Sequence, residues 1–144
     1  MGKPIENPVP ARAAVIETLK ARRIAPTSQR VEIAQVLFAR PQHLSADEVL
    51  AQVNRDRPRV SKATVYNTLG LFAQRGLIRE VIVDPTRVFY DSNIDEHHHI
   101  YNVDTGELTD VDAAAVSIGQ LPNLPDGTVA DGIEVVIRVR GRNA

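Results

Sequence analysis

The stretch Ser61-Lys62-Ala63-Thr64-Val65-Tyr66-Asn67-Thr68-Leu69-Gly70-Leu71-Phe72-Ala73-Gln74-Arg75-Gly76 decides how this chain is read. Val65, Leu69 and Phe72 follow at spacings of four and three, the period of a buried helical stripe, while Ala63, Thr64, Asn67, Gly70 and Gln74 project to the other side. Ser61 opens this helix, and Gly76 suits the left-handed position just past its end. No acidic residue occurs from Ser61 to Arg79. That absence suits a helix that enters the negatively charged major groove of DNA. Beyond it, Ile78, Val81, Val83, Val88 and Tyr90 alternate in part around Asp84-Pro85-Thr86, which predicts a two-stranded hairpin over 77–90.

Working back toward the N-terminus, three shorter helices are expected. Val15, Ile16 and Leu19 give an apolar face to a helix over 11–23, entered at Pro10 and closed by basic residues, as the helix dipole favours. Thr27 caps a second helix that carries Ile33 and Leu37 and ends near Ala39, before Pro41. Ser45 followed by Glu48 forms a capping-box pattern for a third helix, buried through Val49, Leu50 and Val53. Short helices followed by a hairpin make a winged helix-turn-helix. Lys62, Arg75, Arg79 and Arg87, the Arg55/Arg57/Arg59 loop and Arg22/Arg23 are placed to neutralise phosphates along its flanks.

The charge distribution agrees with that division. The net charge of −1 hides 14 basic against 9 acidic residues through position 92, and 3 against 9 from 93 to 144. A basic part for a polyanion and an acidic part for a cation or a partner are implied. With 43% hydrophobic and 24% charged residues in 144, the composition is that of a folded globular chain and excludes collagen, coiled coil and disorder. Zero cysteines exclude disulfides, thiolate zinc, iron–sulfur ligation and cysteine nucleophiles. No apolar run is long enough to span a membrane, the first residues lack a signal-peptide core, and Glu6 stands where a myristoylation signal needs Ser or Thr, so a cytoplasmic location is expected.

From Asp91 onward, strands are expected over 97–103 and 107–111, joined at Asp104-Thr105-Gly106, then a short helix over 112–120, a Pro- and Gly-rich loop over 121–132, and a final strand over 133–140. A 52-residue half is marginal alone, and with disulfides impossible a second copy of the chain is expected to complete its sheet. The expected fold class is α+β: a winged-helix domain over 1–92, with 1–10 as an arm, then a small αβ dimerisation domain over 93–144.

The histidines fall at two places, His43 and His97-His98-His99. In a strand, His97 and His99 share a face and His98 takes the other. Asp91, Glu96, Asp104 and Asp110 surround them in sequence. Imidazole and carboxylate without thiolate suit iron(II), manganese(II) or zinc, and imidazole is also a usual axial ligand of haem. A hydrolytic centre built on His97-x-His99 with Asp110 would need companion motifs, and neither a phosphate loop nor a nucleophile elbow is present, so the chain is not expected to be an enzyme.

Several of these segments occur together in one known order. His43-Leu44 with Ser45-Ala46-Asp47-Glu48-Val49, then Ala63-Thr64-Val65-Tyr66-Asn67-Thr68-Leu69, Gly76-Leu77-Ile78, His97-His98-His99 and Thr105-Gly106-Glu107-Leu108 resemble the ferric uptake regulator family over roughly residues 11 to 140. The Thr-Val-Tyr-Asn-Thr-Leu run, the three histidines and the Pro-rich segment are most similar to its iron response regulator branch. The resemblance implies a dimeric transcription regulator, mainly a repressor of iron-homeostasis genes, that binds double-stranded operator DNA as a homodimer or higher oligomer. It implies a regulatory metal site of His43, His97, His99 and Asp110, with an acid at the end of the wing. There the family position falls on Tyr90, and Asp91 is adjacent. Glu96 and His98 would serve a second metal or a haem.

The same resemblance implies that Tyr66 packs on a thymine methyl and that Asn67 stands where relatives carry arginine; an amide there fits adenine better. The candidate DNA-contacting set is Arg23, Arg30, Lys62, Thr64, Tyr66, Asn67, Arg79 and Arg87. The first cysteine pair of the family's structural zinc would fall at Asn102 and Thr105, so that zinc is absent, as is the cysteine-containing haem motif of some relatives. Ligand occupancy would set the spacing of two winged helices and hence DNA affinity. The alternatives are a manganese- or iron-responsive regulator without haem, and a constitutive DNA binder with structural histidines.

Overall fold

A computed structural model of the chain describes residues 10–95 and 97–142. The expected arm therefore lies almost wholly outside the described residues, as does Glu96. The chain divides into two compact units, Met1–Ile94 and Asp95–Ala144.

The first unit contains α1 (Arg12–Ala21), α2 (Ser28–Leu37), β1 (His43–Ser45), α3 (Ala46–Val53), α4 (Lys62–Gln74), β2 (Arg79–Asp84) and β3 (Arg87–Asp91). Local chemistry sets the ends of these helices. The Thr27 hydroxyl accepts from Arg30 N and the Ser61 hydroxyl from Thr64 N, while Ser45 and Glu48 cap each other reciprocally. Each such cap contributes about 1 kcal/mol. At the end of α4, Gly76 adopts φ +72°, Leu77 N bonds Phe72 O and Gly76 N bonds Ala73 O. The α1 terminus repeats this pattern (Ile24 N to Leu19 O, Arg23 N to Lys20 O), but Arg23 takes the left-handed position, at φ +59°.

Val15 and Leu19 of α1, Val31, Ile33 and Leu37 of α2, Val49 and Val53 of α3, and Val65, Leu69 and Phe72 of α4 form one buried cluster. Leu44 of β1 and Tyr90 of β3 join it, which fixes the wing to the helices. The sheet order is β1-β3-β2, all antiparallel, with His43 opposite Asp91. The strand at His43–Ser45 has no counterpart in the sequence reading, because three residues are too few to display alternation. Helix α2 ends at Leu37, two residues before the expected limit.

The second unit is a sheet of order β5-β4-β6, built from β4 (His97–Asn102), β5 (Leu108–Asp112) and β6 (Val136–Val139). The β4–β5 turn forms as expected: the Asn102 side-chain oxygen accepts from Asp104 N and Thr105 N, and Gly106 sits at φ +77°. The expected helix over 112–120 is corrected to a single 3-10 turn, Ala113–Ala115, capped by the Asp112 carboxylate. A run of three alanines is too short to nucleate a helix, and Val116 returns to extended backbone. The last strand is shorter than expected and pairs with β4 in parallel. Only His97, His98, His99 and Tyr101 are buried among this unit's described residues.

Candidate metal centre and nucleic-acid interface

Strand β4 aims His97 and His99 the same way, and their rings meet edge-on with centroids 4.5 Å apart. Antiparallel pairing places Asp110 of β5 opposite His99. Asp110 Oδ1 then lies 3.2 Å from His97 Nε2 and 3.3 Å from His99 Nε2. Both imidazoles are buried, His99 at 2% exposure.

The opposite ring nitrogens explain what this convergence requires. His97 Nδ1 lies 2.6 Å from the Asp95 carbonyl oxygen, which can only accept, so that nitrogen carries the proton. His99 Nδ1 lies 3.1 Å from a Glu134 carboxylate oxygen without hydrogen-bond geometry, so that the negative charge alone favours the proton on that nitrogen. In neutral rings so oriented, both Nε2 lone pairs point at a carboxylate oxygen. Three acceptors converge where a cation is the complementary species, and imidazole with carboxylate is a donor set for Fe(II), Mn(II) or Zn(II). The residues fit a divalent metal.

In the first unit, His43 Nε2 lies 3.5 Å from Asp91 Oδ2, and Asp91 is 1% exposed. Asp91 Oδ1 accepts from Asn93 N, which holds the carboxylate in place. Tyr90, at the position where the resemblance expects an acid, packs into the helical core. Burial, followed by the charge of Glu80 and then Tyr66, pushes its phenol above the usual tyrosine range. Asp91 is thus the carboxylate beside His43, and Tyr90 is a neutral core residue.

His98 takes a different role from its neighbours. Its Nδ1 accepts from Val135 N at 3.0 Å, which puts the proton of the neutral ring on Nε2. Asp104 is used in the turn region, where its Oδ2 accepts from Gly141 N, and it does not join His97 and His99. Glu134 was not among the residues expected from sequence; no spacing rule connects it to a histidine 35 positions earlier.

On α4, Lys62, Tyr66 and Asn67 are exposed and Thr64 is half-buried. Thr64 and Asn67 line a groove with Arg30 of α2, whose guanidinium also donates to Ala25 O. The Tyr66 hydroxyl lies 3.3 Å from Asp47 Oδ1, and Lys62 Nζ lies 3.9 Å from the same oxygen. Arg87 on the wing is exposed, as is Arg23 after α1, whereas Arg79 at the start of β2 is half-buried. A further groove between α3, α4 and the wing is lined by Asp47, Tyr66, Arg87 and Tyr90. Asp47 is an acidic neighbour of the presented helix that lies outside Ser61–Arg79.

A family model described as the ferric uptake regulator family matches residues 22–122. The peroxide-responsive repressor PerR of Staphylococcus aureus is 32% identical over 95 residues, 66% of this chain. The chain spans 64% of that relative's length. Among solved structures, the ferric uptake regulator from Pseudomonas aeruginosa with manganese matches at TM-score 0.68 and 25% identity, covering 88% of this chain and 96% of that one. The Vibrio cholerae ferric uptake regulator matches in fold at TM-score 0.68 and 20% identity, covering 88% and 98%. With a family match over most of its length and a fold shared with solved members, this chain belongs to the ferric uptake regulator family.

Proposed function

We propose that this protein is a metal-responsive transcription regulator that binds operator DNA as a homodimer and represses genes of metal homeostasis. The observation that carries the reading is the convergence of His97 Nε2 and His99 Nε2 on Asp110 Oδ1, in a chain whose α4 has no acidic residue. His97, His99 and Asp110 would hold the metal, with His43 and Asp91 as the donors contributed by the first unit. When bound, the metal would supply a cation at these donors, so that occupancy would bias how the winged helix is presented. The protein acts by binding rather than catalysis, in the cytoplasm, where operator DNA lies.

Manganese(II) or iron(II) is the preferred occupant. Two imidazoles with carboxylate oxygens form a hard-to-borderline set, and the solved relative from Pseudomonas aeruginosa carries manganese. The iron response regulator branch is supported by the three histidines and the Pro-rich segment before β6. Haem is the weaker reading, because rings 4.5 Å apart that both face one carboxylate leave little space for a macrocycle between them. Glu96 and His98 are the candidates for a second site, where His98 would have to give up its Val135 bond or its Nε2 proton to bind a metal.

Lys62, Arg23, Arg30, Arg79 and Arg87 would neutralise phosphates, and Thr64, Tyr66 and Asn67 would read base edges. Dimerisation is supported by the apolar residues the second unit leaves exposed, among them Ile118, Leu121, Leu124 and Ile137. The test is metal content and duplex binding of untagged protein. Bound Mn(II) or Fe(II) that disappears in His97→Ala/His99→Ala is expected, together with DNA affinity falling with salt at a log–log slope of about −5 for about six phosphates. Metal-free protein that takes up neither ion, or a flat salt response, would refute the proposal.

A further inference from the structure

We infer that Glu134 is a positioning residue for the metal site: it holds His99 with Nε2 toward Asp110, and thereby couples metal binding to the docking of β6 on β4. The inference rests on the metal-site reading above. The Glu134 carboxylate oxygen lies 3.1 Å from His99 Nδ1, on the opposite side of the ring from Asp110. The two do not meet with hydrogen-bond geometry, so the contact acts through charge: a carboxylate at that distance favours the proton on Nδ1 and leaves the Nε2 lone pair for a cation. His97 obtains the same tautomer from the Asp95 carbonyl. A carboxylate behind a liganding imidazole fixes the ring and raises its basicity.

Glu134 also lies near the end of the long segment without helix or strand that follows the 3-10 turn, two residues before β6 begins. The next residue joins the same histidine run twice: Val135 N donates to His98 Nδ1 at 3.0 Å, and His99 N donates to Val135 O at 3.1 Å. Three contacts within two residues therefore tie the start of β6 to His98 and His99. Beyond them β6 pairs with β4 from His99↔Val136 to Asn102↔Val139. If β6 must be docked for Glu134 to orient His99, a metal that prefers the oriented ring must in turn favour docked β6, by thermodynamic reciprocity. Ile137 and Val139 on this strand are exposed, so metal would steady a face available to a second copy.

The experiment uses the full chain and Mn(II) alone, with Glu134→Ala and the isosteric Glu134→Gln. Three quantities are read: Mn(II) affinity, from the paramagnetic resonance of free ion; the His99 tautomer in metal-free protein, from imidazole nitrogen shifts; and amide exchange of 135–139 with and without Mn(II). The expected result for Glu134→Ala is a 10- to 100-fold loss of affinity, loss of the Nδ1–H preference at His99, and no Mn(II)-induced slowing of exchange in 135–139. Glu134→Gln, which keeps the shape and removes the charge, is expected to lose the tautomer preference and the affinity as Glu134→Ala does. Unchanged affinity and tautomer in Glu134→Ala would overturn the inference. Wild-type protein that binds no Mn(II) would instead refute the metal site and the coupling with it, while the metal-free tautomer still reports whether Glu134 orients His99.

Discussion

The two units bury opposite kinds of residue. In the first, Leu19, Leu37, Leu69 and Phe72 are essentially inaccessible, and the cluster they form draws on all four helices and the wing. In the second, three of the four buried residues among those described are histidines, and aliphatic side chains such as Leu121, Leu124, Ile137 and Val139 face outward. The first unit thus has its own source of stability in apolar burial. The second has a centre rich in acceptors and an exposed apolar surface, so under the proposed function its order would depend on a metal and a second copy.

Substitutions in the two units should therefore fail in different ways. Phe72→Ala is expected to lower the unfolding free energy by about 3–5 kcal/mol, seen as an earlier urea midpoint, because the α4 core cannot refill the space. A shift below about 1 kcal/mol would mean that the first unit is not packed as described. In the second unit, Ile137→Asp is expected to leave the urea transition of the first unit in place and to move the protein from dimer to monomer in sedimentation at micromolar concentration. A persistent dimer would remove Ile137 from the interface.

Smaller effects separate two helix ends that share one geometry. Gly76→Ala places a Cβ at φ +72°, 3.1 Å from Arg22 Nη1, and should cost about 1 kcal/mol. Arg23→Gly relieves the same backbone strain and should stabilise by a few tenths to about 1 kcal/mol in thermal unfolding, while weakening DNA binding if Arg23 contacts phosphate. The smallest expected effect is at Tyr90. Its raised phenol ionises later in the folded than in the unfolded chain, so its contribution is complete below pH about 10 and is lost as pH rises from there through the folded value. Tyr90→Phe should flatten that alkaline loss in denaturation profiles.

Much of the first unit was legible because its signals are local. The Ser45/Glu48 capping box, Thr27, Ser61 and Gly76 each mark a boundary through bonds to residues a few positions away, and each boundary occurs where that chemistry places it. The pairing of His97 and His99 was legible for the same reason, as strand period alone aligns them. What sequence left open depended on distant partners. His43 becomes a strand residue only because β3 pairs with it, and this register puts Asp91 beside it while Tyr90 turns into the core. The alanine-rich segment reads as helix by propensity, yet Asp112 is taken by β5 and the run is too short to continue. Glu134 reaches His99 through a parallel strand that returns after a long connection, a relation no short motif encodes.

The central claim is that a divalent metal on the histidine–carboxylate donors controls DNA binding. Its most direct test is affinity for a duplex selected by the protein from random DNA, measured with Mn(II) and with chelator, for wild type and for His97→Ala/His99→Ala. At least a tenfold difference between the two conditions is expected in the wild type, and none in the double variant. Equal wild-type affinity with Mn(II) and with chelator, or a difference that survives loss of both histidines, would contradict it.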